Sequence, residues 1–81
     1  MDAYISMIML WSGSIIPSKW MPCEGQELNV WDHYALFNLI YTTYGGDGEK
    51  TFRLPDLRDK VPEGFDKQMK YIICVDGYFP Q

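Results

Sequence analysis

An 81-residue chain with 47% hydrophobic residues has the make-up of a single folded domain, 1–81, and excludes a disordered segment. Its net charge of −4, with seven basic residues interleaved among eleven acids, leaves no basic stripe for nucleic acid. So small a domain has a thin core, and three Trp, six Tyr and four Phe overfill it, which places some rings on a surface that meets another chain.

In chain order, Tyr4–Trp11 reads as the first strand. Ile5, Met7, Met9 and Trp11 alternate with Tyr4, Ser6, Ile8 and Leu10, and both faces are largely apolar. The apolar run Met7–Trp11 is too short to span a bilayer and has no Lys or Arg before it, so neither membrane insertion nor a signal peptide is expected. Ser12-Gly13-Ser14 and Pro17-Ser18 mark a loop. A short extended piece, Trp20–Cys23, follows, and Glu24-Gly25-Gln26 reads as a turn.

The spacing of His33, Leu36, Phe37, Ile40 and Tyr41 predicts a helix over about 30–42, with Asn29 as its N-cap and Asp32 in a capping-box-like position. Gly45-Gly46-Asp47-Gly48 ends it. In Thr51–Arg58, Pro55 withdraws a backbone donor, so this stretch is an extended edge or a turn from which Phe52, Leu54 and Leu57 reach the core. Val61-Pro62 is a further extended stop. Tyr71–Val75 is the last strand, closed by Asp76-Gly77, and again both faces are apolar. The fold class expected is α+β: a small, loop-rich single domain of few strands and one helix. One helix covers only one side of such strands, so a second subunit is expected on the other.

Catalytic chemistry has little to stand on. His33 is the only histidine, no serine sits in a nucleophile elbow, and the glycine-rich turn lacks the Lys-Ser/Thr of a phosphate-binding loop. Asp47 and Glu49 could face a hard cation, but the ligand series of a calcium loop is missing. Asp56 and Arg58 read as a local structural pair. Cys23 and Cys74 are either two buried reduced thiols acting as small hydrophobes or a disulfide; a zinc site lacks ligands. No enzyme, cofactor or metal is expected.

The order of the landmarks is informative. Ile8-Met9-Leu10-Trp11-Ser12-Gly13, Pro17-Ser18-Lys19-Trp20, Cys23-Glu24-Gly25-Gln26 and Tyr34-Ala35-Leu36-Phe37-Asn38-Leu39-Ile40 come first. Thr42-Thr43-Tyr44-Gly45-Gly46-Asp47-Gly48, Thr51-Phe52-Arg53-Leu54-Pro55-Asp56-Leu57-Arg58 and Val61-Pro62 follow. Together they resemble the phage tail collar domain, which also occurs in proteins described as microcystin-dependent. Tyr71–Pro80 resembles the final strand and tail of longer relatives. Those relatives carry a long segment before that strand where this chain has only Phe65–Lys70, and they usually hold glycine where this chain has Tyr41 and Asp59.

The resemblance implies a structural component of a phage tail (tail fibre, collar or baseplate) or of a related contractile injection particle, located in the virion tail. It implies a homo-oligomer, with a trimer expected, whose partners are its own copies and other tail or baseplate proteins. Trp11, Tyr41, Tyr78 and Phe79 are the candidate subunit-contact residues. Trp20, Cys23, Gly25, Gly45, Gly46, Asp47, Gly48, Leu54, Pro55, Asp56, Leu57 and Arg58 form the structural motif. The alternative is an adhesion module for a host-surface glycan, with Trp31, Tyr44 or Tyr78 stacking on sugar rings.

Overall fold

The last strand to appear in the sequence is the one at the centre of the main sheet. In a computed structural model that describes residues 3–66 and 68–81, strands β1 (Ile8–Trp11), β2 (Trp20–Pro22) and β5 (Lys70–Cys74) form a three-stranded antiparallel sheet in the order β1-β5-β2. Ile8 pairs with Ile73, and Met21 pairs with Ile73 from the other side. Strands β3 (Glu27–Asn29) and β4 (Thr51–Arg53) form a separate antiparallel ribbon, with Leu28 opposite Phe52. One helix, α1 (Tyr34–Ile40), lies between them in sequence, so strand outweighs helix.

The first strand is shorter than the expected Tyr4–Trp11, and the hydrogen bonds show why. Met7 donates its backbone N–H to the Tyr4 carbonyl at 3.1 Å, closing a turn whose third residue, Ser6, has φ 79°. Ser6 donates to the Cys74 carbonyl at 2.9 Å and Cys74 donates to the Met7 carbonyl at 2.9 Å, so two residues oppose one. This is the pattern of a G1 bulge, and it breaks the alternation before regular pairing begins at Ile8. The last strand is shifted by one residue from the expected Tyr71–Val75.

The helix is also shorter than the expected 30–42. Asn29 accepts the N–H groups of Trp31 at 2.8 Å and Asp32 at 3.2 Å on its Oδ1, so it caps a turn over 30–33 that leads into the helix. His33 is the residue before the first helical one, at φ −135°, and its side chain makes no capping bond. Asp32 therefore lies outside the helix and forms no capping box. At the other end Tyr41 turns to φ 50°, ψ −136°, a conformation that L-residues avoid, while its N–H still closes on the Phe37 carbonyl at 2.7 Å. Seven residues are too few to be helical alone. Burial of Leu36 and Phe37, each contributing about 1.5–3 kcal/mol, holds α1 in place, with the Phe37 ring edge-on to Phe52 at 5.4 Å.

Two apolar clusters sit on opposite faces of β5. One gathers Ile5, Cys23, Val30, Leu36, Phe37, Phe52, Leu54 and Ile73 beneath the helix and ribbon. The other gathers Ala3, Trp20, Ile72 and Cys74, with Met9, Trp11 and Ile16 packed against it. The second face of β5, expected to need another subunit, is thus packed by the chain's own side chains: Ala3, Ile16 of the loop between β1 and β2, and Met9, Trp11 and Trp20 of the flanking strands.

Candidate functional site: motif loops and exposed rings

The motif residues meet in space although they lie far apart in sequence. Leu57 donates its N–H to the Cys23 carbonyl at 2.9 Å, Gly25 to Pro55 at 3.2 Å, and Leu54 to Gln26 at 3.1 Å. Arg53 adds Nη1 to the Gly25 carbonyl at 3.2 Å. The turn predicted at Glu24–Gln26 is therefore stitched to the Leu54–Leu57 extension, and β3, a short polar strand that no apolar run announced, continues directly from it. Leu54 and Pro55 are buried, and Leu57 packs at the edge of the first cluster. Asp56 and Arg58 form the expected local pair, Nε to Oδ1 at 2.9 Å and Nη2 to Oδ2 at 2.6 Å. The Arg58 guanidinium brings the Asp56 carboxyl down to about 2. Both side chains are solvated, so the pair fixes a loop shape more than it stabilises the fold.

Asp47 is the hinge of the glycine turn. Its Oδ1 accepts backbone N–H groups from Glu49 at 2.8 Å, Lys50 at 2.9 Å and Thr51 at 3.0 Å. These donors pull its pKa down from the ordinary 3.8 to about 2. Gly45 accepts the Arg53 N–H at 3.1 Å, and Gly48 donates to Thr51 at 3.0 Å, so the whole turn is clasped to β4. Gly46 has φ 100°, and a Cβ there would run into Phe52 Cα and come within 2.7 Å of the Thr51 carbonyl oxygen. Asp47 thus spends its oxygen on the backbone. Among the described residues no group of three or more His, Cys, Asp or Glu side chains is gathered for a metal ion.

Cys23 and Cys74 are both buried and free, in different clusters on opposite sides of the sheet. Burial pushes the Cys23 thiol up to about 11, which keeps it protonated and unreactive. Cys74 donates its S–H to the Asp76 carbonyl at 3.2 Å.

Eight of the thirteen aromatic rings are exposed. Of the four candidate contact residues, Tyr78 and Phe79 lie together, lining a hollow of about 560 Å³ with Tyr4, Pro80 and Gln81. Tyr4 and Tyr78 are tied by backbone bonds on either side, Ile5 N–H to Tyr78 at 2.8 Å and Tyr78 N–H to Ala3 at 3.0 Å. Tyr41 is elsewhere, at the end of α1 against the Phe37 ring at 4.9 Å. Trp11 is half-buried on the second cluster and donates its indole N–H to Ile15 at 3.1 Å. Of the rings considered for sugars, Trp31 is the most open at 72% exposure, stacked flat on Tyr34 at 5.2 Å and 8°. Tyr44 is exposed as well. Tyr4 and Tyr34 were not singled out by sequence reasoning. Tyr34 sits three residues beyond Trp31, and that spacing is the signal that could have found the pair.

No helix among the described residues is long and apolar enough to cross a membrane. Compared with known families, residues 6–62 match the model of the phage tail collar domain, a span that runs from the bulge at Ser6 through the stitched loops to Pro62. None of the curated proteins matches the chain.

Proposed function

The chain belongs to the phage tail collar domain family, and from that premise we propose that it is a non-catalytic structural part of a phage tail, in the fibre, collar or baseplate, that assembles with copies of itself. The family match over residues 6–62 carries this reading. The surplus of exposed rings supports the assembly part, because eight exposed aromatic side chains on so small a domain are surface that contact with another chain would cover. Immunogold electron microscopy of the particle carrying this chain tests the role. Label on the tail at a fixed copy number is expected, and particles without label would refute it.

A second reading is favoured by one observation. The flat Trp31–Tyr34 stack presents a rigid, open ring face, the geometry on which a sugar ring packs. Under this reading the module binds a host-surface glycan, and Trp31→Ala lowers binding on a glycan array at least tenfold. A wild-type chain that retains no glycan removes it.

A further inference from the structure

The chain holds two Asp-Gly pairs, Asp47-Gly48 and Asp76-Gly77, and the fold treats them in opposite ways. An aspartate before glycine is open to attack by the next backbone nitrogen, because glycine has no Cβ to stand in the way. The first pair is closed twice over. The Gly48 N–H is held by the Thr51 carbonyl at 3.0 Å, and Asp47 Oδ1 accepts three further backbone N–H groups. A hydrogen-bonded amide reacts only after local opening, and a carboxyl kept ionised down to about 2 is a poor electrophile. The second pair has neither protection. Asp76 and Gly77 lie in an exposed bend between β5 and the Tyr4–Tyr78 bridge. Among the described residues the Gly77 N–H has no acceptor, and no donor or cation holds the Asp76 carboxyl. The one side-chain bond to Asp76 ends on its main-chain carbonyl, from the Cys74 thiol at 3.2 Å. A hollow of about 330 Å³ lined by Lys19, Trp20, Asp76, Gly77 and Tyr78 lets water reach the pair.

We propose that Asp76-Gly77 is a site of spontaneous isomerisation to isoaspartate in the folded chain, that Asp47-Gly48 is shielded from it, and that the change unfastens Tyr78 from the Ala3–Ile5 segment. The Gly77 nitrogen gives up its proton and attacks Asp76 Cγ. A C–N bond forms, a carboxyl oxygen leaves as water, and a five-membered imide results. Water then adds at the main-chain carbonyl carbon of the imide and breaks its bond to the Gly77 nitrogen. Asp76 is left joined to Gly77 through Cγ, with its former main-chain carbonyl carbon as a free carboxyl group. One water is lost and one gained, so the mass is unchanged. The product has an extra carbon in the main chain, and the bend has no room for it. A Cβ built on Gly77 would come within 2.5 Å of the Ala3 carbonyl oxygen and 3.2 Å of the Cys74 sulfur. The new carboxylate also arises from the carbonyl that accepts the Cys74 S–H, so a charge appears beside a thiol that is 1% exposed. Both effects drive the bend away from Ala3. The bonds lost are those from the Tyr78 N–H to Ala3 and from the Ile5 N–H to Tyr78, and Tyr78 and Phe79 then leave Tyr4.

Ageing the full chain in warm neutral buffer, followed by trypsin digestion, tests it, because the two pairs fall on different peptides, Trp20–Lys50 and Tyr71–Gln81. Isoaspartate is read with isoaspartyl methyltransferase and labelled S-adenosylmethionine. In the folded chain the label on Tyr71–Gln81 is expected to exceed that on Trp20–Lys50 by roughly tenfold or more. In urea, where neither pair is held, the two peptides are expected to label at similar rates. Asp76→Glu, whose side chain would have to close a six-membered ring, is expected to lose the label from Tyr71–Gln81. Hydrogen exchange of the aged chain reads the consequence: the Ile5 and Tyr78 amides are expected to exchange roughly tenfold faster or more, while the amides of β5 keep their protection. Equal labelling of both peptides in the folded chain overturns the shielding of Asp47-Gly48. A Tyr71–Gln81 peptide that labels in urea and not in the folded chain overturns the site. Unchanged exchange at Ile5 and Tyr78 in the labelled chain overturns the unfastening.

Discussion

Ser6, Lys19 and Tyr41 all hold positive φ without being glycine, at 79°, 72° and 50°. Ser6 is the third residue of a tight turn and the first of the bulge, the place where glycine is favoured, and its hydroxyl makes no hydrogen bond among the described residues. Ser6→Gly should therefore raise stability by about 1 kcal/mol in urea titration, and a loss of that size would refute the strain. Gly46→Ala is the opposite case. With its Cβ driven into the Phe52 backbone, it should lower stability by more than about 3 kcal/mol, measured the same way. Asp47 gives a pH dependence. Its pKa is depressed in the folded chain to about 2 from 3.8, so its stabilisation is fully present above that ordinary value and is lost as pH falls through about 2. Asp47→Asn should melt lower at pH 7, with the gap to wild type closing between pH 4 and pH 2. A gap that stays constant across that range would show that the charge contributes nothing.

At the scale of elements, the sequence was readable where a side chain acts on its own neighbours and misleading where tertiary contacts decide. Asn29 was legible as a cap, yet the backbone after it stays in a turn through His33, because Val30 is drawn into the first cluster and donates to the Lys50 carbonyl at 2.9 Å. Asn29→Ala should still cost about 1 kcal/mol, since the N–H groups of Trp31 and Asp32 lose their acceptor. Thermal melting checks this, and no change would mean that water replaces the cap. β3 was missed because Glu27-Leu28-Asn29 has one apolar residue, and its strand character comes from pairing with Thr51–Arg53. The bulge was missed because Ser6 fits an alternating pattern as well as any polar residue does. Tyr41 falls at helical spacing with Phe37, so the pattern gave no sign of its positive φ. Of the candidate contact residues, Tyr78 and Phe79 were legible as neighbours in sequence. Their grouping with Tyr4 depends on a parallel bridge between the two ends of the described chain, which spacing alone does not encode.

For the whole molecule, β5 is the member that both clusters share. Ile72 and Ile73 are each almost fully buried, on opposite faces of the same strand. Ile72→Ala and Ile73→Ala should each remove about 2–4 kcal/mol and shift one common unfolding transition. Separate transitions for fluorescence and circular dichroism in either variant would show that the two clusters melt independently. The central place of β5 also sets an order in time. During synthesis β1 and β2 emerge early and do not pair with each other, because the strand that lies between them has yet to be made. Neither gains a pairing strand until the chain closes the long loop that brings Ile73 back to Ile8 and Met21. Refolding from urea should therefore be limited by this one late closure, on the millisecond-to-second scale of non-local β pairing and not the microseconds of a helical domain.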